Sequence, residues 1–215
     1  MSGKGVEQAG LRLFLELPAA AMHDSAGACL DAFCRHADVA SLLLPAEEGE
    51  ERLLRALTEQ AQALGVAVLV RDDARLLRRL RADGLHVVGD DAGRISRLRQ
   101  ELGEDVIIGA CCPARRHAAM ELGEAGADYL GIDQRVEARG ENLLAWWAQM
   151  FTVPVVAMNP AAARELEHLA RAGADFAVPV ADMWLGEEQA ARLGESYGEI
   201  LRKIARGHAE AAKSG

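Results

Sequence analysis

Four short segments in the middle of the chain each pass from a hydrophobic run into polar residues. They read VAVLVRDD (66–73), GLHVVGDD (84–91), DVIIGACC (105–112) and ADYLGID (127–133), and they recur roughly every 20 residues. Amphipathic stretches with helical periodicity lie between them. A repeat of strand, polar turn and helix is typical of a parallel sheet with crossover helices, and ligands bind at the edge where such strands end.

Similar hydrophobic runs mark the other strands of the predicted sheet. Four further candidates bring the number to eight: LRLFLEL (11–17), VASLLL (39–44), PVVAM (154–158) and DFAVPV (175–180). Their near-continuous Val, Leu and Ile content is typical of strands that are covered on both faces. Helical periodicity predicts helices over 50–64, 74–82, 94–102, 114–125, 142–151, 160–172 and 187–206. Four glycines follow these helices where a C-terminal cap is expected, at Gly65, Gly103, Gly126 and Gly173.

Eight strands that alternate with helical segments in about 200 residues predict an α/β protein folded as a single (β/α)8 TIM barrel. An open doubly wound sheet is the main alternative, but such sheets usually have fewer strands, and no G-x-G-x-x-G motif follows the first strand. No linker or low-complexity segment divides the 215 residues. We therefore predict one domain over 11–206, with flexible tails over 1–10 and 207–215.

The composition narrows the classes of partner. A net charge of −9 argues against nucleic acid or an anionic membrane as the main partner, although a local site can still be basic enough for a small phosphorylated ligand. No apolar run approaches the roughly 18 residues that span a bilayer, and the first residues lack the hydrophobic part of a secretory signal. The four cysteines form neither a disulfide scaffold nor a zinc motif. These features predict a cytoplasmic protein.

Acidic residues follow the third and the fourth predicted strands. Asp72 and Asp73 end the third strand, and Asp90 and Asp91 follow the fourth. Because neighbouring barrel strands lie about 4.8 Å apart, the two acidic turns are expected side by side. Converging carboxylates suit Mg²⁺, which takes one or two carboxylates together with phosphate oxygens. An Asp in such a turn also caps the next helix, which contributes about 1 kcal/mol, so both interpretations stay open.

The stretch from Gly65 to Ile132 resembles the thiamine phosphate synthase and TenI family, whose members are (β/α)8 barrels. The motifs that carry the resemblance are VAVLVRDDARL (66–76), ADGLHVVGDDA (82–92), IIGACC (107–112) and AGADYLGI (125–132), with weaker echoes in VPVVAM (153–158) and RAGADFAVPVADM (171–183). The resemblance implies a transferase of thiamine biosynthesis that joins a pyrimidine pyrophosphate to a thiazole phosphate. It also implies Mg²⁺ as the cofactor, and by position it places the metal on Asp72 and Asp91.

The chain departs from the family pattern at several phosphate-binding positions. Arg71 stands where the family synthases have an Asn, and LLLPAEEGEE (42–51) replaces a Q-x-R-x-K string that holds the pyrophosphate. The loop DQRVEARGEN (133–142) lacks the family lysine, which leaves Arg135 and Arg139 as substitutes. These residues, together with Asn159, are the candidate substrate contacts.

The usual phosphate cradle of the barrel is also altered. Met158-Asn159-Pro160 replaces a Gly-Gly turn whose backbone N–H groups would approach the phosphate, and proline lacks an N–H group. After the eighth strand Pro179 removes another donor, and Asp182 adds a negative charge that competes with a bound anion. These departures predict weak or absent synthase activity.

Two residues are candidates for catalysis. Cys111 ends the fifth strand where the family has the Ser of an S-x-H motif, and the His of that motif, used by TenI-type tautomerases, is missing. A nucleophilic thiol needs a lowered pKa, which the predicted helix beyond Pro113 could provide, whereas a buried structural cysteine is the alternative. His86 lies in a family-like G-x-H context. It is either a catalytic base or a hydrogen-bonded core residue.

Three functions are therefore consistent with the sequence. The chain is a family synthase, a diverged paralogue that acts on a different small ligand, or a non-catalytic barrel used for binding or assembly. The missing Lys, Gln and Gly-Gly elements favour divergence. Trp146 and Trp147 predict helix packing or a subunit contact in a homo-oligomer, and Trp184 is predicted to line a ligand pocket.

Overall fold

The strands close into a complete ring. The computed structural model describes residues 10–46, 50–113, 115–135, 137–138 and 141–214. Eight parallel strands pair in chain order, and the first also pairs with the last. They are β1 (Arg12–Glu16), β2 (Val39–Leu44), β3 (Ala67–Arg71), β4 (Gly84–Val88), β5 (Ile107–Cys112), β6 (Tyr129–Ile132), β7 (Val155–Ala161) and β8 (Phe176–Pro179). The predicted single (β/α)8 barrel is confirmed.

A helix follows each strand and covers the outside of the ring. The helices are α1 (Ala26–Cys34), α2 (Glu51–Ala63), α3 (Ala74–Leu80), α4 (Ala92–Leu102), α5 (Arg116–Glu124), α6 (Leu143–Met150), α7 (Leu166–Arg171) and α8 (Glu187–Ser214). The four glycines predicted to end helices have φ between 75° and 97°, a backbone conformation that glycine adopts without strain. Among the described residues no helix is both long and apolar enough to cross a bilayer.

Several element boundaries differ from the prediction; the helix predicted over 160–172, for example, begins only at Leu166. Strand β7 continues to Ala161 because the side-chain amide of Gln134 pairs with the backbone of Asn159: Nε2 donates to the Asn159 oxygen, and the Asn159 N–H donates to Oε1, each at 2.9 Å. Helix α8 runs to Ser214, so most of the predicted C-terminal tail is helical. The predicted N-terminal tail falls almost entirely on residues 1–9, which lie outside the described residues.

Apolar side chains form a core on each side of the strands. The larger core lies between the ring and the helices and consists mostly of Leu, Val and Ala. The smaller core fills the ring itself and is formed by Phe14, Leu43, Leu69, Tyr129, Val156 and Val178. His86 is also completely buried, and its ring packs against Phe14 and Tyr129. The interior is therefore packed, and His86 and Tyr129 are polar side chains within it.

An Ala-Asp dipeptide precedes or begins every even-numbered strand. The four dipeptides before these strands lie at 37–38, 82–83, 127–128 and 174–175, and the intervals between them are 45, 45 and 47 residues. In three of the four cases the carboxylate accepts the N–H near the start of the preceding strand, a group that needs a partner when it is buried. The pairs are Asp83 with Val68 at 2.7 Å, Asp128 with Ile108 at 2.7 Å and Asp175 with Val155 at 2.8 Å. Asp38 instead forms an ion pair with Arg12 on β1 at 2.9 Å.

Candidate functional site

The polar residues predicted at the strand ends meet at one opening of the barrel. In the ladder Arg71 is the register partner of His86, and Val88 is the partner of Cys111. Burial raises the pKa of the Cys111 thiol, and four charged side chains lie near enough to affect that pKa. Arg71 lowers it, whereas Glu16, Asp133 and Asp72 raise it. Residues of β1, β3 and β5 and of the turns after β3 and β6 therefore surround one mouth.

Arg71 forms an ion pair with Glu16 across this mouth. The pair joins Nη2 to Oε1, and the two side chains are 33% and 34% exposed. The Trp184 indole donates from Nε1 to the backbone oxygen of Glu16 at 2.9 Å, and Trp184 itself is buried. The guanidinium that was predicted to contact substrate is thus already paired with a carboxylate of β1.

Asp72 joins the ends of β3 and β4. Its φ of 53° lies in the left-handed region, which Asp tolerates. Its N–H donates to the backbone oxygen of His86 at 3.0 Å, and its Oδ1 accepts the Val88 N–H at 3.1 Å. Arg94 of α4 places Nη1 2.8 Å from the same carboxylate oxygen. The Asp72 carboxylate therefore has a structural role and a counter-charge within the chain.

The other acidic residues of these two turns also have partners. Asp73 caps α3 and accepts the N–H groups of Arg75 and Leu76 at 2.8 and 2.9 Å. Asp91 caps α4 and accepts the Arg94 N–H at 3.0 Å, while its second oxygen lies 3.3 Å from Arg97. Helix capping is confirmed for both. In the remaining case Asp90 forms an ion pair with Arg115.

Mg²⁺ needs carboxylate oxygens that are free to bind it. The Asp72 and Asp91 carboxylates both accept backbone N–H groups, and each faces an arginine, Arg94 and Arg97 respectively. No group of three or more His, Cys, Asp and Glu side chains suited to a metal occurs in the part of the chain that the structure describes. As arranged, the two carboxylates do not fit the metal that the family resemblance implies.

His86 lies inside the ring and is completely buried. Its Nδ1 is 2.7 Å from the Tyr129 hydroxyl, and Nε2 has no hydrogen-bond partner among the described residues. Burial, followed by the positive charge of Arg71, lowers the pKa of His86 to about 4, while Asp72 acts in the opposite direction. The imidazole is therefore neutral at pH 7. The sequence allowed two interpretations of His86, a catalytic base or a hydrogen-bonded core residue. This geometry matches the core residue.

The Cys111 thiol is partly buried at the mouth. Burial raises its pKa, and the nearby carboxylates of Glu16, Asp133 and Asp72 raise it further, against the opposing effect of Arg71. Helix α5 begins only at Arg116, so the thiol does not lie at a helix start. Its environment holds the thiol protonated at neutral pH, which is the opposite of what a nucleophile requires.

Backbone N–H groups near the end of β7 and just after β8, the region where barrels commonly hold a phosphate, have partners within the chain. The Asn159 N–H donates to Gln134 Oε1 at 2.9 Å. The Val180 N–H donates to the Tyr197 hydroxyl at 3.1 Å, and that hydroxyl donates to the Ala161 oxygen at 2.5 Å. Two N–H groups of this region are therefore already bound by the protein's own side chains, in addition to the missing glycines.

A cleft of about 640 Å³ lies between the loop after β6 and helix α7. Its polar lining consists of Gln134, Arg135, Asn159, Arg164, Glu165 and His168. It brings together two of the predicted substrate contacts, Arg135 and Asn159; Arg139 lies outside the described residues. Burial alone would raise the pKa of Asp133, but hydrogen bonds from Arg135 and Asn159 outweigh it and hold that pKa below its usual value. Arg135 is thus held at the edge of the cleft by Asp133.

Three residues of the mouth and of the ring beneath it were not predicted from the sequence: Glu16, Arg94 and Tyr129. Arg94 did carry a signal, because it stands in the first turn of α4, where the helix dipole favours an acidic residue. A basic residue at that position indicates an anionic neighbour, which is Asp72. Glu16 and Tyr129 carry no comparable local signal, since their partners are distant in the sequence.

The chain is similar in sequence to proteins of one family. A family model described as thiamine monophosphate synthase matches residues 23–182. The thiamine-phosphate synthase of Erythrobacter litoralis is 39% identical over 150 residues, which cover 65% of this chain and 70% of the relative. That of Rhodospirillum centenum is 31% identical over 207 residues, which cover 89% of this chain and 98% of the relative.

A solved structure shares the architecture. The thiamine phosphate pyrophosphorylase from Pyrococcus furiosus superposes with a TM-score of 0.73 at 18% identity, over 90% of this chain and 96% of that one. At this identity the likeness concerns the fold alone. The matched region 23–182 contains seven of the eight strands and most of the residues at the mouth. The chain therefore belongs to the thiamine monophosphate synthase family.

Proposed function

We propose that this chain is a cytoplasmic, diverged synthase-type barrel that binds a phosphorylated pyrimidine or thiazole. Its transfer of a pyrimidine pyrophosphate to a thiazole phosphate is weak or lost. The observation that carries the proposal is the pairing of charges at the mouth, where Glu16 holds Arg71 and Arg94 holds Asp72. The proposal contains no magnesium step, because the two carboxylates do not fit the metal.

The pairing of charges bears directly on the reaction rate. Transfer requires positive groups that stabilise the charge developing on the leaving pyrophosphate. Arg71 is a candidate for this role, but an anion that binds it must displace Glu16 or share the guanidinium with Glu16. The positive charge of Arg71 is therefore partly neutralised before a ligand binds. The loss of one such preorganised donor lowers enzyme rates by about 100-fold to 1000-fold.

A second candidate function is the binding of a different small anionic ligand in the cleft beside the mouth. Arg135, Arg164 and His168 line this cleft against one acidic residue, Glu165. The observation that favours it is the Asn159 Oδ1, which is buried and has no hydrogen-bond partner among the described residues. A ligand with an N–H or O–H donor beside its anionic group would satisfy that oxygen once the Asn159 side chain turned it toward the cleft.

Thiamine phosphate formation tests the proposal when it is measured beside the Rhodospirillum centenum synthase, with both substrates and Mg²⁺. We expect a rate at least about 100-fold below that of the relative, as for the loss of an electrostatic donor. Calorimetry with the thiazole phosphate should nevertheless show binding. A rate within about tenfold of the relative would contradict the divergence, and a flat trace with both phosphates would contradict the assigned ligands.

Variants locate the ligand. Arg135→Ala should weaken binding if the ligand lies at the cleft, because its guanidinium is one of the cations there. Arg78→Ala is the matched control, since that arginine forms an exposed ion pair with Glu101 on the outer surface. Equal effects of the two variants on binding would contradict the placement.

A further inference from the structure

Arg94 contacts the acidic residues of both turns. Its Nη1 lies 2.8 Å from Asp72 Oδ1, and its Nη2 is 3.5 Å from the backbone oxygen of Asp72. Its backbone N–H donates to Asp91 Oδ1 at 3.0 Å. The side chains of Arg94 and Asp72 are 35% and 34% exposed, so the ion pair lies partly within the protein surface. One residue therefore engages the two carboxylates that the family resemblance assigns to a metal.

The position of the guanidinium opposes a divalent cation. Arg94 and the Val88 N–H both bind Oδ1 of Asp72, so a metal ion on this carboxylate would bind the second oxygen, beside the guanidinium, and would be repelled by its charge. Asp91 faces a second arginine, Arg97, at 3.3 Å. Arginine itself suits phosphate, because its planar group presents five N–H donors and can bind two oxygens at once.

We propose that Arg94 is the resident cation of this mouth. It holds the carboxylate that a divalent ion would use and offers its remaining N–H donors to an anionic ligand, so that pyrophosphate binds without a metal. The ligand half of this inference rests on the proposed function, in which the mouth binds a phosphorylated molecule. The metal half does not, because it concerns only Arg94, Asp72 and a divalent ion.

Metal binding can be tested without any ligand. Binding of Mn²⁺ can be measured from its electron paramagnetic resonance signal. At millimolar concentration Mn²⁺ should not bind at the mouth of the wild-type protein. Arg94→Ala should gain a Mn²⁺ site, because it frees the Asp72 carboxylate, and the double variant Arg94→Ala/Asp72→Asn should lose that site again. Arg97→Ala is the matched control: it removes an arginine from Asp91 but leaves Arg94 on Asp72, so no site should appear.

Two results would overturn the metal half. One is Mn²⁺ binding by the wild-type protein that Asp72→Asn abolishes, and the other is a folded Arg94→Ala variant that gains no site. Circular dichroism establishes whether each variant is folded. Arg94→Gln serves as a second variant, since it removes the charge while keeping a side chain of similar length.

The ligand half is tested by calorimetry with inorganic pyrophosphate, in EDTA and in Mg²⁺. The wild-type protein should bind equally well, within about threefold, under both conditions, because a guanidinium supplies the charge that the metal would. Arg94→Ala should lose at least about tenfold in EDTA, the effect of one charge-assisted contact, and should recover with Mg²⁺. A metal requirement in the wild type, no binding in EDTA, or no effect of Arg94→Ala would each contradict it. Absence of thiazole phosphate binding, by contrast, contradicts the proposed function and leaves the Mn²⁺ result standing.

Discussion

The Tyr129 hydroxyl lies 2.7 Å from Nδ1 of His86 across an intervening strand. In the register of the sheet His86 is opposite Gly109, and Gly109 is opposite Tyr129. Because Gly109 has no side chain, the two larger residues meet over it inside the ring, with their ring planes inclined by 24°. A neutral imidazole is thereby enclosed at the centre of the barrel.

The buried imidazole should make the protein less stable in mild acid. In the unfolded chain a histidine takes up a proton near pH 6.5, whereas the folded protein holds His86 neutral down to about pH 4. Between these values the unfolded state binds more protons, so the free energy of unfolding falls as the pH falls. The free energy of unfolding should therefore be lower near pH 4 than above pH 6.5 by up to about 3 kcal/mol.

Urea unfolding at several pH values, on the wild type and on His86→Gln, measures this contribution. The variant keeps a group that can hydrogen-bond to Tyr129 but cannot titrate. Carboxylates contribute similarly to both proteins, so their difference isolates the imidazole. Parallel curves for the two proteins would contradict the assignment.

Gly109→Ala should destabilise the barrel. A Cβ at this position would lie 1.9 Å from Tyr129 Cζ, so the aromatic ring and its bond to His86 must move. Overpacking of this kind costs about 1–3 kcal/mol in the free energy of unfolding, measured with urea. Gly207→Ala is the control, because no atom lies within 4 Å of its added methyl group in α8. That variant should gain stability, by up to about 1 kcal/mol; an equal loss in both variants would contradict the steric explanation.

Asp128→Asn should be more damaging than Asp175→Asn, although both residues belong to the Ala-Asp dipeptides. Asp128 accepts the Ile108 N–H and also an N–H of Arg99 at 2.5 Å, and the Arg99 side chain is only 12% exposed. Its loss leaves a mostly buried charge without its carboxylate, which costs about 1–3 kcal/mol.

Asp175 is the milder case. Burial raises its pKa despite the opposing hydrogen bond from the Val155 N–H, and an amide oxygen can still accept that bond. Its replacement should therefore cost under about 1 kcal/mol. Thermal and urea unfolding of both variants give the comparison, and the predicted order fails if Asp175→Asn is the less stable protein.

Cys111 should react slowly with iodoacetamide at pH 7. Burial and three nearby carboxylates raise the pKa of its thiol, so the reactive thiolate is scarce. Peptide mass spectrometry of the folded protein, compared with the urea-unfolded chain, should show at least about tenfold slower modification at Cys111. Cys111→Ser identifies the peptide. Rapid modification of the folded protein would restore the nucleophile hypothesis.

Local patterns accounted for the architecture because each strand and helix has its own signal. Strands covered on both faces are continuously apolar, and the helices between them are amphipathic. The misjudged C-terminal tail is instructive, since GHAEAAKS (207–214) lacks an apolar stripe but is rich in strong helix formers. There, helix propensity and continuity with α8 outweighed the missing periodicity.

The pairing of charges at the mouth was beyond the reach of local patterns. The sequence identified Arg71 and Asp72 as polar residues at a strand end, which is where the structure places them. It could not show that Arg71 meets Glu16, a residue 55 positions away, because that contact depends on closure of the ring. Helix caps were predictable for the converse reason: Asp73 and Asp91 bond within three residues of themselves.

The Ala-Asp dipeptides before the even-numbered strands divide the ring into four modules of two strands. In each module the aspartate before the second strand contacts a residue of the first. A circular permutant with new termini at Gly103, between two modules, would keep every one of these contacts within a continuous stretch of chain. New termini at Ala82 would instead separate Asp83 from Val68 in sequence and turn a local contact into a long-range one. The barrel should thus tolerate being opened at some loops far better than at others.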